Sequence, residues 1–401
     1  MIKFRDPSRR DFLAASAVGI VGLVLVSENC GSDEESQLED HLLYVGTYTE
    51  GTRSDGIYLI RLDQRSGKLR RVSSVSAGAN PSFLAIHPNG RVLYAVNELE
   101  KYNGRATGAV SAFAIASDSG ALTKRNEQPS EGGAPCYVSV DRTGRVVLVA
   151  NYVGGNVAVL PIQADGALAP PTDVDQHKGT GPNRERQEAA HAHCIVADPS
   201  NRFVLAADLG DDRVFLYRLD LDGKSLRHVD GGDAVMRPGA GPRHIAFHPT
   251  LPLVFVANEL DSTVTTLRFD SERGTLSPLD SHSTLPAGWT RENYPADIHI
   301  ASSGRTLYVS NRGHNSIAVF SVAESTGALA QVQVISTDGD WPRNFSLDPT
   351  GRWLLVANQR SDSVVVFARD QESGRLTPTS QRIALPSPVC LRFRAHAGVT
   401  T

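Results

Sequence analysis

Along this chain short apolar runs alternate with polar turns, and the alternation itself repeats. The phrase NPSFLAIHPNGRVLYAVNE, starting at Asn80, returns as APCYVSVDRTGRVVLVANY from Ala134 and again from His191, Gly241, Tyr294 and Trp341. In each copy an apolar run leads into a turn such as HPNG, DRTG or DPTG, followed by a β-rich run such as Val92–Val96, Phe255–Ala257 or Leu354–Ala357. Apolar patterning of this kind, broken by Gly, Pro, Asn and Asp, predicts a hairpin of two strands, a and b. A third run (GAVSAFAI, NVAVLPI, STVTTLRFD and their counterparts) and a weaker fourth after Gly-x-Leu supply strands c and d.

Counting from the residue that opens strand a gives Pro81, Pro135, Ala192 in the proline's place, Pro242, Pro295, Pro342 and Pro388, spaced 46 to 57 residues apart. Four-stranded repeats of roughly 40–50 residues are the blades of a propeller. LLYVGTYTE at Leu42–Glu50 matches strand b with no strand a before it, and SPVCLRF at Ser387–Phe393 matches strand a with no strand b after it. Pairing these two segments closes a ring of seven blades and removes the open sheet edges. The expected fold is therefore all-β, a seven-bladed propeller of antiparallel four-stranded blades over residues 41–396.

Charge adds an exclusion. With 40 Lys and Arg against 44 Asp and Glu, the chain has no field that draws nucleic acid or a membrane, which leaves small-molecule chemistry as the expectation. Residues 1–40 read as targeting and linker. Ser8-Arg9-Arg10-Asp11-Phe12-Leu13 resembles a twin-arginine export signal, and the apolar stretch Leu13–Val26 is short for a membrane span. A periplasmic or extracellular protein is expected, with cleavage near Cys30–Asp33. A lipid anchor at Cys30 is the alternative and the one expected route to a membrane, although Ser27-Glu28-Asn29 lacks the usual small apolar residues. Cys136, Cys194 and Cys390 are odd in number and lack Cys-x-x-Cys spacing, so buried thiols are expected rather than a disulfide framework or zinc site, with Cys136 the one to watch.

Topology locates the chemistry. In an antiparallel hairpin, strand a begins where strand b ends, so residues one and seventeen places past each anchor fall on one mouth of the ring. One place past, the blades supply Ser82, Cys136, His193, Arg243, Ala296, Arg343 and Val389; seventeen past, they supply Tyr48, Glu98, Tyr152, Leu209, Glu259, Arg312 and Gln359. The strand-a positions three and five past the anchor are nearly all apolar, so charge is expected on this rim alone. A histidine, three arginines and two glutamates around a concavity suit an anionic ligand. The loops around 181–188 and 286–293, with Arg186, Gln187 and Trp289, are expected over the same mouth as a partial lid. The bland reading makes Arg243 and Glu259 a structural ion pair. Sixteen places past, Thr47, Asn97, Asn151, Asp208, Asn258, Asn311 and Asn358 invite a metal ring, but such residues at strand ends more often bond local backbone. His191-Ala192-His193 permits a zinc pair without further ligands, so no metal or other cofactor is expected.

Several segments, among them YVGTYTEG from Tyr44, HKGTGPNRERQEAAHAHC from His177, GPRHIAFHP from Gly241, VANELDSTV from Val256 and WPRNFSLDPTGRWLLVANQ from Trp341, resemble the seven-bladed lactonases. That family includes bacterial 6-phosphogluconolactonase and fungal carboxy-cis,cis-muconate lactonizing enzyme, and the resemblance spans nearly all of residues 42–393. It implies a metal-independent enzyme acting on a lactone, with His193, Arg243, Glu259 and Arg312 as catalytic candidates, the four that repeat register places on the rim. Ala190 departs from the proline that relatives often carry before the first histidine. Arg343, His191, Glu98 and Gln187 are the expected substrate-binding residues, with His193 favoured over Glu259 as base because an ordinary imidazole titrates near neutrality. Hydrolysis of a sugar-acid lactone, 6-phosphogluconolactone among the candidates, is the leading expectation. A muconolactone-type cycloisomerase and a non-catalytic secreted binding propeller are the alternatives, and a monomer is expected.

Overall fold

The computed structural model describes residues 40–394. The expected leader, Cys30 and the last two residues of the expected domain lie outside them. Seven antiparallel sheets follow one another around the ring. Blade 1 takes its inner strand from the C-terminal end: Pro388–Phe393 pairs with His41–Thr47, bringing Leu43 opposite Phe393 and Val45 opposite Leu391. Blades 2 to 7 begin with strands a at Leu84–Ile86, Pro135–Val140, Ala192–Ala197, Pro242–Phe247, Tyr294–Ile300 and Pro342–Leu347. Blade 4 carries an extra short strand, Ala234–Val235, beside its third.

Each strand b is a nearly unbroken buried run, as in Val146–Asn151 and Leu253–Asn258, because both faces of the blade pack against neighbours. The cores accordingly lie between blades. Phe255 of blade 5 packs with Leu307, Val309 and Phe320 of blade 6, and Leu148 of blade 3 packs with Val204 and Tyr217 of blade 4. Polar staples cross the same seams. The hydroxyls of Tyr44, Tyr94 and Tyr308 donate to the carbonyls of Gly120, Gly166 and Gly374 in the adjoining blade, and Trp353 Nε1 donates to Gln64 O across the closing seam.

The turn residues act locally. Asp141, Asp198 and Asp348 accept backbone N–H groups from the a–b turns they open. The Asn and Asp ring also builds blades: Asn97, Asn151, Asn311 and Asn358 each donate to a carbonyl at the end of strand d or just beyond it.

The register departs from a simple hairpin at the start of strand a. In blades 3, 4, 5 and 7 the anchor pairs with the residue sixteen places on, as in Pro242 opposite Asn258, yet the residue two past the anchor pairs with the one fifteen past it, as in His244 opposite Ala257. One extra residue is therefore bulged out of strand a. In these blades it is Cys136, His193, Arg243 and Arg343. A β-bulge bends the strand and re-aims the side chain it carries, so the backbone itself turns these residues away from the ladder.

Candidate active site

Glu259, at the end of strand b in blade 5, gathers three guanidiniums from different parts of the chain. Its Oε2 accepts from Arg243 Nε at 2.9 Å and from Arg312 Nη2 at 2.6 Å, and its Oε1 accepts from Arg186 Nη2 at 2.6 Å. Arg243, Glu259 and Arg312 are all buried. Burial alone would raise the Glu259 pKa, but Arg312 and Arg243, with His193 and Arg186, outweigh it and hold the carboxyl well below its usual range. Burial drives the Arg312 guanidinium down to about 9, against the pull of Glu259. Glu259 is thus a fixed anion, a poor proton acceptor and a good clamp.

His193 lies beside this cluster. Its ring meets Tyr152 edge-on at 5.3 Å and His244 at 5.5 Å, and Nδ1 is 3.5 Å from Cys136 Sγ. Among the described residues Nε2 has no hydrogen-bond partner. Burial, followed by the positive fields of Arg243 and His244, pushes its pKa well below the usual value, so the imidazole is neutral at working pH. That revises the reason for favouring it as a base: it is always in the accepting form, but weakly basic. Cys136 offers no nucleophile, because burial and Glu98 push its thiol far up.

The rest of the rim is built differently. The Tyr48 hydroxyl donates to Glu98 at 2.9 Å and accepts from Arg343 Nη2 at 2.9 Å, Ser82 also donates to Glu98, and the Arg343 guanidinium lies 5.4 Å from the Tyr48 ring centre. Tyr48, Glu98 and Arg343 are only half-buried. Burial opposes the charge on Arg343, but Tyr48, Glu98 and Glu259 more than offset it and raise its pKa. The two halves feel each other, since Arg343 acts electrostatically on His193, Arg243 and Glu259. Four guanidiniums against two carboxylates leave the mouth short of negative charge.

Two expected binding residues face elsewhere. His191 stacks on Tyr152 at 4.5 Å, with Nδ1 donating to Tyr152 O and Nε2 beside Glu188. It touches the cluster only through Tyr152, whose hydroxyl accepts from Arg186. Gln187 is wholly buried, its amide donating to Leu209 O and accepting from Asn183 N, so it braces the 181–188 loop rather than facing the mouth.

Charge is not confined to the rim, as the apolar positions three and five past the anchor suggested; the other face of strand a carries its own. Arg243 Nη1 donates to Ala296 O and, at 3.0 Å, to His244 Nε2, which fixes the His244 proton on Nδ1, where it is donated to Asp297 at 2.8 Å. Asp297 also accepts from His299 and Asn344. Burial, then Arg243, lowers the His244 pKa to about 3, while His299 and His244 hold Asp297 low against the effect of its burial. His244 meets Tyr137 at 5.1 Å and Phe83 at 5.6 Å. Since Phe83 belongs to blade 2 and His244 to blade 5, these rings lie on the axis and floor the mouth into a cup.

Comparison with known proteins agrees with the seven-bladed fold. The family model described as Lactonase, 7-bladed beta-propeller, matches residues 42–393. The chain belongs to this lactonase family. It is 41% identical over 350 residues to a 6-phosphogluconolactonase of Bacillus subtilis, covering 87% of this chain and 97% of that protein. A 6-phosphogluconolactonase of Formosa agariphila is 33% identical over 306 residues, covering 75% and 85%. Among solved structures, the periplasmic gluconolactonase of Pseudomonas aeruginosa superposes with a TM-score of 0.83 at 36% identity, covering 89% of this chain and 99% of that one.

Proposed function

We propose that the chain hydrolyses a sugar-acid lactone in the cup formed by His193, Arg243, Glu259 and Arg312. One observation carries this reading: two buried guanidiniums locked onto one carboxylate beside a buried imidazole whose Nε2 is unengaged. The lactone carbonyl oxygen takes the place facing Arg243 and Arg312. Water, relieved of a proton by His193 Nε2, adds to the carbonyl carbon, and negative charge gathers on the oxygen that the guanidiniums face. Fixed donors of this kind contribute roughly 100- to 1,000-fold each in a dry site. Collapse breaks the bond to the ring oxygen, which leaves with the proton held by His193 and yields the open hydroxy acid. Glu259 orients the arginines without accepting the proton. Arg343 and Glu98 take the hydroxyls or anionic group of the substrate, and His191 and Gln187 support the loop that delivers Arg186.

The leader at Ser8–Leu13 supports export, with the mature protein working outside the cytoplasm on unphosphorylated aldonolactones as well as phosphorylated ones. The test is direct. Purified protein is assayed by pH-stat on gluconolactone and 6-phosphogluconolactone, with nuclear magnetic resonance identifying the product as the open acid. Turnover lost in His193→Asn and Arg243→Gln supports the reading; turnover unchanged in both overturns it, as does an unsaturated product of ring elimination.

A further inference from the structure

Beside the rim lies a second cavity, of about 620 Å³, lined by Trp289, Arg291, Glu292, Tyr294, Trp341 and Arg360, with the backbone of Gly313. It adjoins the reaction cup through shared walls. The Arg312 guanidinium lies 5.5 Å from the Trp341 ring centre, and its Nε donates to Tyr294 O at 3.0 Å. The volume lies in the range of roughly 300–1,000 Å³ that encloses a drug-sized ligand, more than the small ring reacting next door requires.

The chemistry of the walls is specific. Arg291 lies over the Trp289 ring at 4.1 Å and Arg360 over the Trp341 ring at 3.3 Å. A guanidinium held over an indole face by cation–π attraction keeps N–H donors that can still reach a ligand. Both arginines are exposed, and among the described residues neither has a carboxylate within ion-pair distance. The one acid in the wall, Glu292, acts electrostatically on Tyr294, whose pKa burial and this carboxylate raise. Trp289 Nε1 is shielded from solvent and has no acceptor among the described residues. Two guanidiniums held over indole faces suit an oxyanion on a ring that can lie against aromatic surfaces.

We propose that this cavity is an outer subsite for a hexose-sized ring bearing an oxyanion, a phosphate monoester or a uronate carboxylate, joined to the lactone that reacts in the cup. The inference rests on the lactonase reading and adds to it a substrate class, an extended anionic lactone rather than a single sugar-acid ring. Binding energy from this remote ring then positions the reacting carbonyl.

The test uses ligands that carry no lactone, so it reads the subsite independently of turnover. The chain has three tryptophans, and the third, Trp353, donates to Gln64 at the closing seam. Quenching of tryptophan emission in a Trp353→Phe background, checked by calorimetry on the unaltered protein, is followed with glucose 6-phosphate, glucuronate, glucose and inorganic phosphate. The expected result is saturable binding of glucose 6-phosphate or glucuronate, at least tenfold tighter than glucose or phosphate, and weakened at least tenfold in Arg291→Gln/Arg360→Gln. Which of the two binds tells phosphate from uronate. No saturation with either, equal binding of glucose or inorganic phosphate, or full affinity in the double variant overturns the subsite. A protein that binds these ligands yet hydrolyses no lactone overturns the lactonase reading instead.

Discussion

The two halves of the mouth occupy the same register positions and are built to opposite standards. In blades 4 to 6, His193, Arg243, Glu259 and Arg312 are each at most 5% exposed, and the three charged ones are pinned by charge-assisted bonds of 2.6–2.9 Å. In blades 1, 2 and 7, Tyr48, Glu98 and Arg343 meet through a tyrosine hydroxyl and remain half-open to water. Taking ions out of water is costly and is repaid only by good geometry, so the closed half is the rigid one, suited to bond breaking. In the proposed reading the open half is the one that adapts to the shape of the substrate.

The comparison breaks first at Glu259. In Glu259→Gln the three arginines lose their common anion; about 3–5 kcal/mol of stability should go, seen as a large fall in Tm, with turnover down to background. Next is His193→Asn, where kcat should drop roughly 100- to 10,000-fold with Tm nearly unchanged. Equal losses of Tm in the two variants would remove the distinction between clamp and base. Asp297→Asn lies below the rim and reaches the chemistry through His244; kcat should fall about tenfold, near 1.4 kcal/mol, with KM little altered. The smallest effect belongs to the open half: Glu98→Gln should raise KM several-fold and leave kcat within about twofold. A kcat loss as large as that of His193→Asn would place the chemistry in the wrong half.

Acid offers a further probe of the closed half. His193 and His244 have lowered pKa values in the folded state, so the unfolded chain binds protons more readily below the ordinary imidazole range. Their contribution to stability is complete above about pH 6.5 and is lost as pH falls below it. Glu259 and Asp297, also lowered, contribute stability that is present above about pH 4.5 and lost on further acidification. Thermal melts from pH 8 to pH 4 should show Tm falling from about pH 6.5 downward. Turnover, in contrast, should not follow the usual imidazole titration, because His193 stays neutral through it.

The blades, their number and the closing strand were legible because each module repeats the same spacing. His193, Arg243, Glu259 and Arg312 were legible for the same reason: their place depends on position within a hairpin. The bulge at the second residue of strand a was not, since one extra residue in a ladder leaves no mark in an apolar pattern that period two still fits. His244 and Asp297 were hidden too, because the regular apolar signal comes from positions three and five past the anchor, whereas the axis is lined from position two. Arg186 and Gln187 come from a connection outside the repeat, where loop conformation decides which side chain reaches Glu259 and which is spent on its own backbone.

The seam between Pro388–Phe393 and His41–Thr47 joins the remotest parts of the chain, and it runs into the mouth: Tyr48 N donates to Ser387 O at 3.2 Å. Contacts so distant in sequence form slowly, after local hairpins are in place. The tyrosine that ties Arg343 to Glu98 therefore sits beside a contact expected to form late, so the open half of the mouth should be completed only as the circle locks.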